Sequence, residues 1–138
     1  MSAVFDHTVH ARLIAEPPMT RDLSASLRYD GADPLAVHIV FPADASLDGG
    51  EVAWTFAREL LDAGLRGPAG EGDVHVWPRD GSHTVIELLS EEGVAVVEFD
   101  SSDLRRFLLR SYDIVAAGQE HGESDVETGL AALLLRGV

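Results

Sequence analysis

The sequence contains no cysteine, no lysine and no asparagine in 138 residues. Without Cys there is no disulfide, no thiolate nucleophile and no Cys-ligated zinc or iron–sulfur centre, an inventory that suits a reducing compartment. Without Lys there is no phosphate-gripping P-loop and no Schiff-base nucleophile. All ten basic residues are therefore Arg. Lys and Asn use AT-rich codons, so their joint absence points to a GC-rich genome and concerns the source, not the function.

Long apolar runs are also missing. No stretch of about 18 apolar residues appears, and the N-terminus lacks a basic, then apolar, then small-residue pattern, so neither a membrane span nor a signal peptide is expected and a cytoplasmic protein is. Positive charge is scarce against 24 acids, which leaves a net charge of -14. Phosphate backbones are bound by cationic surfaces, so nucleic acid is not an expected partner. The acids are spread along the chain without a block of like charges and read as solvated surface.

The length suits a single domain spanning 1–138, with a polar connector over 117–125 leading to a short C-terminal helix. In 3–15, Phe5, Val9, Ala11 and Leu13 share one face, before "EPPMT" breaks the chain. Strict alternation follows over 22–29, with Leu23, Ala25, Leu27 and Tyr29 opposite Asp22, Ser24, Ser26 and Arg28. After the turn "DGADP", residues Leu35, Val37, Ile39 and Phe41 predict a third strand.

In "EVAWTFARELLDAGL" (51–65), Val52, Trp54 and Phe56 keep the period of two. From Ala57 the spacing becomes helical through Leu60, Leu61 and Gly64, so a strand runs into a short helix, with a continuous helix from 51 as the alternative. Gly64 suits a left-handed C-terminal position, with Leu65 folding back on it. "RGPAGEG" reads as a loop. "DVHVW", "HTVIELL" and "GVAVVEF" read as three more strands, the last two joined by a tight "SEEG" turn.

"SSDLRRFLLRSYDIVAAG" then carries a Ser N-cap signal, an apolar stripe of Leu104, Phe107, Leu108, Ser111 and Val115, and a polar face where Asp103, Arg106, Arg110 and Asp113 can pair. A last amphipathic segment runs from about Asp125 to Leu135. The order of four strands and a helix, then three strands and a helix, predicts an α+β fold, a curved antiparallel sheet of about seven strands covered by helices.

No catalytic constellation stands out. "GPAGEGD" (67–73) has the wrong order for a dinucleotide fingerprint and carries Glu71 and Asp73, which repel phosphate. Ser82 and His83 are neighbours in "DGSHT", which suits a turn better than a nucleophile and its base. The six His lack the i, i+4 spacing of a zincin, and "EHGE" (120–123) reads as an exposed connector. No catalytic, cofactor-binding or metal-ligating residue is assigned. Trp54 and Trp77 are strand residues open to either a core or a partner-surface role, and Arg58 is expected to pair on the surface with Glu59 or Asp62.

Three stretches, "LRYDGADPLAVHIVF" (27–41), "WTFARELLDAGL" (54–65) and "GDVHVWP" (72–78), resemble in order and spacing the SsgA-like proteins of sporulating actinomycetes, above all the SsgB type. A fainter likeness continues through "LRRFLLRSYDIV", so the resemblance covers about 5–117. The departures are "EFDSSD" and the tail after Gly118.

The resemblance implies a non-enzymatic role in sporulation-specific septation. A protein of this type would sit at division septa, mark the septum site, recruit the tubulin-like GTPase FtsZ and promote its polymerisation, with an SsgA-type relative helping to place it. A whirly-like fold and a homotrimer are implied as well. Whirly proteins bind single-stranded nucleic acid, which makes that the alternative function, although the charge opposes it. On the motif blocks, Tyr29, Asp30, Asp33, Pro34, Trp54, Arg58 and Trp77 are the candidate family or partner-surface residues. Arg106 and Arg110 join them from the main helix.

Overall fold

The computed structural model describes residues 3–14, 19–43, 50–91 and 93–120. Four strands come first, β1 (Val4–Ile14), β2 (Thr20–Asp30), β3 (Ala36–Phe41) and β4 (Val52–Ala57), followed by α1 (Arg58–Arg66). Four more follow, β5 (Ala69–Glu71), β6 (Val74–Pro78), β7 (His83–Ser90) and β8 (Gly93–Asp100), then α2 (Ser101–Ile114). All eight strands form one sheet in the order β4-β3-β2-β1-β8-β7-β6-β5. Each half of the chain is thus an antiparallel meander closed by a helix, and the halves meet at β1 and β8.

The two pairings of β1 differ in length, and the difference makes room for α2. β1 pairs with β2 from Val4↔Asp30 to Ile14↔Thr20, but with β8 only from Ala11↔Phe99 to Ile14↔Val96. Beyond the seam β1 and β8 diverge. Phe107 of α2 packs there against Phe5, with ring centroids 5.3 Å apart. Leu104, Phe107 and Leu108 bury the apolar stripe expected of this helix. Each fully buried side chain of this kind contributes about 1.5–3 kcal/mol.

The core follows the period-two pattern. Leu23, Ala25, Leu27 and Tyr29 of β2 are buried, as are Val37, Ile39 and Phe41 of β3 and Val74 and Val76 of β6. α1 packs across β5 and β6 and touches α2.

Several expectations need correction. Among the described residues the sheet has eight strands rather than about seven, because "AGE" inside the expected loop pairs with β6 as Ala69↔Val76 to Glu71↔Val74. Gly72, with φ of +60°, makes the turn between them, a conformation that suits glycine. Gly64 does not end α1 but lies inside it. A Cβ there would sit 2.2 Å from Val76 Cγ1, so this glycine serves helix-to-sheet contact rather than capping.

Leu35 is exposed because it lies in the turn before β3, where its carbonyl accepts the Arg58 N–H at 2.8 Å. Asp100 rather than Ser occupies the N-cap of α2, without a side-chain cap bond. Ser101 is buried and its hydroxyl meets Thr84 Oγ1 at 2.7 Å instead. The helix ends at Ile114, short of the expected Gly118. The expected C-terminal helix and most of the polar connector fall on 121–138, outside the described residues.

Candidate functional site

β4 joins two dissimilar places, a polar anchor where it enters α1 and an apolar opening around Trp54. At the anchor, Arg58 is 2% exposed, so the expected surface pair with Glu59 or Asp62 does not form. Its guanidinium lies 5.0 Å from the Tyr29 ring centroid and 4.4 Å from that of Tyr112. Nη1 donates to the Val115 carbonyl at 2.7 Å and the Ser111 carbonyl at 3.2 Å, while Nη2 meets Glu120 Oε1 at 2.8 Å. A charge out of water needs this many partners, and the planar, multi-donor guanidinium can hold them together where an ammonium cannot. Asp62 is engaged elsewhere, accepting from the Tyr112 hydroxyl at 2.7 Å.

Burial pushes the Tyr112 phenol up to about 12, aided by its bond to Asp62, and burial raises Tyr29 as well. The Arg58 hydrogen bond holds the Glu120 carboxyl below the usual glutamate range.

The neighbouring motif residues complete the anchor. Tyr29 Oη donates to the Pro34 carbonyl at 2.9 Å, which satisfies a buried hydroxyl. Asp30 Oδ1 accepts the Ala32 N–H at 2.8 Å and so builds the turn, and exposed Asp33 sits 3.6 Å from His38 Nε2. Tyr29, Asp30, Asp33, Pro34 and Arg58 therefore form one neighbourhood whose role is to fix the β2–β3 turn, α1 and the end of α2 relative to one another.

Trp54, further along β4, is half-buried. It borders an apolar cavity of about 140 Å³ shared with Phe41, Leu88 and Val97, which opens outward past Ala95 and Val94. It also borders a groove of about 250 Å³ beside Phe56 and Leu60, with Glu71 and Asp73 on the far wall. No basic residue lines either space. Such surroundings suit contact with another chain, since they offer an aromatic anchor and apolar walls with no convergent acid and base.

The remaining candidates lie apart. Trp77 on β6 is half-buried beside Pro68 and His75. Arg106 is exposed and pairs with Asp103 at 2.6 Å. Arg110 lies over the Phe5 ring, 4.3 Å from its centroid.

Ser82, His83 and Asp80 do meet, but as a turn. Both the serine hydroxyl and the aspartate approach the same nitrogen, His83 Nδ1, at 3.1 Å, whereas a nucleophilic relay places them on opposite nitrogens. The Ser82 N–H, donating at 2.7 Å, is the largest of the contacts that hold the Asp80 carboxyl well below its usual range. Among the described residues, no group of three or more His, Asp or Glu is placed to hold a metal ion, and no helix is long and apolar enough to cross a membrane.

The sequence reading missed Tyr112 and Glu120 as partners of Arg58, and Glu71 and Asp73 as the wall facing β4. Arg58 shares a helical face with Leu61 and Leu65, which was the available hint of burial.

Residues 23–120 match the family described as Streptomyces sporulation and cell division protein, SsgA. The match spans all three motifs that carried the resemblance. The chain is 48% identical over 127 residues to the sporulation-specific cell division protein SsgB of Salinispora tropica, covering 89% of this chain and 87% of that protein. It is 39% identical over 138 residues to SsgB of Streptomyces coelicolor, covering 97% and 98%.

Among solved structures, an SsgA-like sporulation-specific cell division protein from Thermobifida fusca YX-ER1 aligns with a TM-score of 0.80 at 34% identity, over 95% of this chain and 96% of that one. A second, from work stating that mutations in SsgB correlate to longitudinal cell division during sporulation of Streptomyces coelicolor, aligns with a TM-score of 0.79 at 40% identity. It covers 88% of this chain and 95% of that chain.

Proposed function

The chain belongs to the SsgA family, and on that premise we propose that it is a non-enzymatic adaptor in sporulation-specific cell division, acting in the cytoplasm at division septa. It marks the septum site by recruiting FtsZ and promoting its polymerisation, with an SsgA-type relative assisting its placement and the chain working as a homotrimer. The observation that carries this reading is the near full-length identity to SsgB proteins, 39% over 97% of this chain for the Streptomyces coelicolor protein.

The surface chemistry supports it. The open features are an aromatic residue, a sheet edge and apolar walls, which are means of holding another protein. A single-stranded nucleic-acid reading gains no such support, since a net charge of -14 repels phosphate and neither space beside Trp54 is lined by a basic residue.

Co-sedimentation with FtsZ from the same organism, polymerised with GTP and followed by light scattering, tests the proposal. Capture in the pellet together with more polymer is expected. No capture and no change in polymerisation would overturn the FtsZ reading and move the search to the SsgA-type relative.

A further inference from the structure

We propose that the outer edge of β4 is a docking site for an extended, cationic segment of a partner protein, taken up by strand addition. The inference concerns how a partner segment is held, and it stands or falls separately from the identity of FtsZ as that partner.

β4 is the terminal strand of the sheet and pairs only with β3 among the described residues. Its register fixes which main-chain groups face outward. The Arg58 N–H bonds the Leu35 carbonyl, and antiparallel bonded pairs recur every second residue, so Phe56, Trp54 and Val52 lie in bonded pairs with β3. The N–H and C=O of Ala53 and Thr55 are then directed away from the sheet. Both residues are exposed, and their main chains have no partner on that side among the described residues.

Proteins normally protect such an edge with charge, proline, a bulge or brevity. The sequence Val-Ala-Trp-Thr-Phe-Ala uses none of them. A free edge of this kind is the template for β-augmentation, in which main-chain bonds supply affinity and alternate side-chain pockets supply specificity.

Charge selects the occupant. The groove beside this edge carries Glu71 and Asp73 on its opposite wall, both exposed, and Glu91 lies at the outer opening past Trp54. With no basic residue in either lining and a net charge of -14, an acidic strand would be repelled and one carrying Lys or Arg attracted. Trp54 and Phe56 offer the apolar contacts for its alternate residues.

The test uses the full chain with Trp77→Phe, so that Trp54 is the reporting tryptophan. The probes are three capped nine-residue peptides: one alternating valine with lysine, one with glutamate in place of lysine, and the lysine peptide with alternate backbone nitrogens methylated. Binding is read by Trp54 fluorescence and by amide hydrogen exchange. The lysine peptide is expected to bind and to slow exchange at Ala53 and Thr55.

Its affinity is expected to fall by about tenfold or more on N-methylation, on exchange of lysine for glutamate, and in an Ala53→Lys variant. The methylated peptide leaves the protein unaltered, so the test survives a variant that folds poorly. Equal binding of the methylated peptide, or no binding of any, would overturn the proposal. So would protection of Ala53 and Thr55 without peptide, whether it grows with protein concentration, which assigns the edge to a second copy, or vanishes on removal of 121–138, which assigns it to the chain's own C-terminus.

Discussion

β5, at one edge of the sheet, is three residues long, follows Pro68, contains Gly70 and ends on Glu71, while β4, at the other edge, runs six residues without a charge, a proline or a glycine. α1 packs on β5. Brevity, proline, charge and a covering helix are the usual ways to discourage strand pairing, and they are concentrated on one side. The other side is instead held rigid from within, since β4 runs directly into Arg58 and its buried set of partners. Under the strand-addition proposal, an edge that is firmly positioned and, among the described residues, without these protections suits a partner strand, because a preformed strand loses little freedom when another pairs with it.

The anchoring end should give way most sharply. Arg58→Ala leaves an empty space between Tyr29 and Tyr112 and takes the donor from the Ser111 and Val115 carbonyls, and a loss of about 3 kcal/mol is expected in urea unfolding from the cavity and the lost bonds together. Arg58→Lys should recover only part of it, because an ammonium cannot reach Ser111, Val115 and Glu120 together.

The contact between α1 and β6 comes next. Gly64→Ala improves helix propensity by about 1 kcal/mol but forces a methyl onto Val76, and overpacking of 1–3 kcal/mol should prevail. The Val76 Cβ would also lie 2.3 Å from the new methyl, so Val76→Ala should leave the clash in place, and net destabilisation that persists in the double variant would confirm the contact.

A pH dependence sharpens the same end. The Glu120 carboxyl is lowered by its bond to Arg58, so its contribution is present in full above the ordinary glutamate range, about pH 4.3, and is lost as pH falls through the lowered value. The stability difference between the parent and Glu120→Gln should therefore shrink in acid, as followed by thermal melts from pH 7 to 3. At the open edge, Ala53→Lys should change stability by only about 0.5 kcal/mol or less, because the residue is an exposed one with outward main chain. If that variant unfolds the chain, β4 is not a free edge.

Much of the fold was legible because amphipathic patterns record which face meets the core. Leu23 to Tyr29, Val52 to Phe56 and Leu104 to Leu108 are apolar at the spacing of the element they form. β5 was not legible, since "AGE" between Pro68 and Gly72 carries no alternation and is held by pairing with β6 rather than by its own side chains. Gly64 misled for a related reason, because helix termination and close approach both call for glycine, and only Val76 in space distinguishes them.

Arg58 misled because a charge reads as surface unless its compensating groups are seen, and those come from 53 to 62 residues further along the chain. The groove at Trp54 was half visible. The aromatic residue stood out, but Glu71 and Asp73 became its neighbours only through the curl of the sheet.

Residue-resolved amide hydrogen exchange of the full chain, free and bound to FtsZ polymers, tests the role of β4 most directly. The expected result is new protection at Ala53 and Thr55 and around Trp54, with the exposed side of α2 unchanged. New protection along Arg106, Leu109 and Arg110 with β4 unaffected would contradict it and place the recruiting surface on α2.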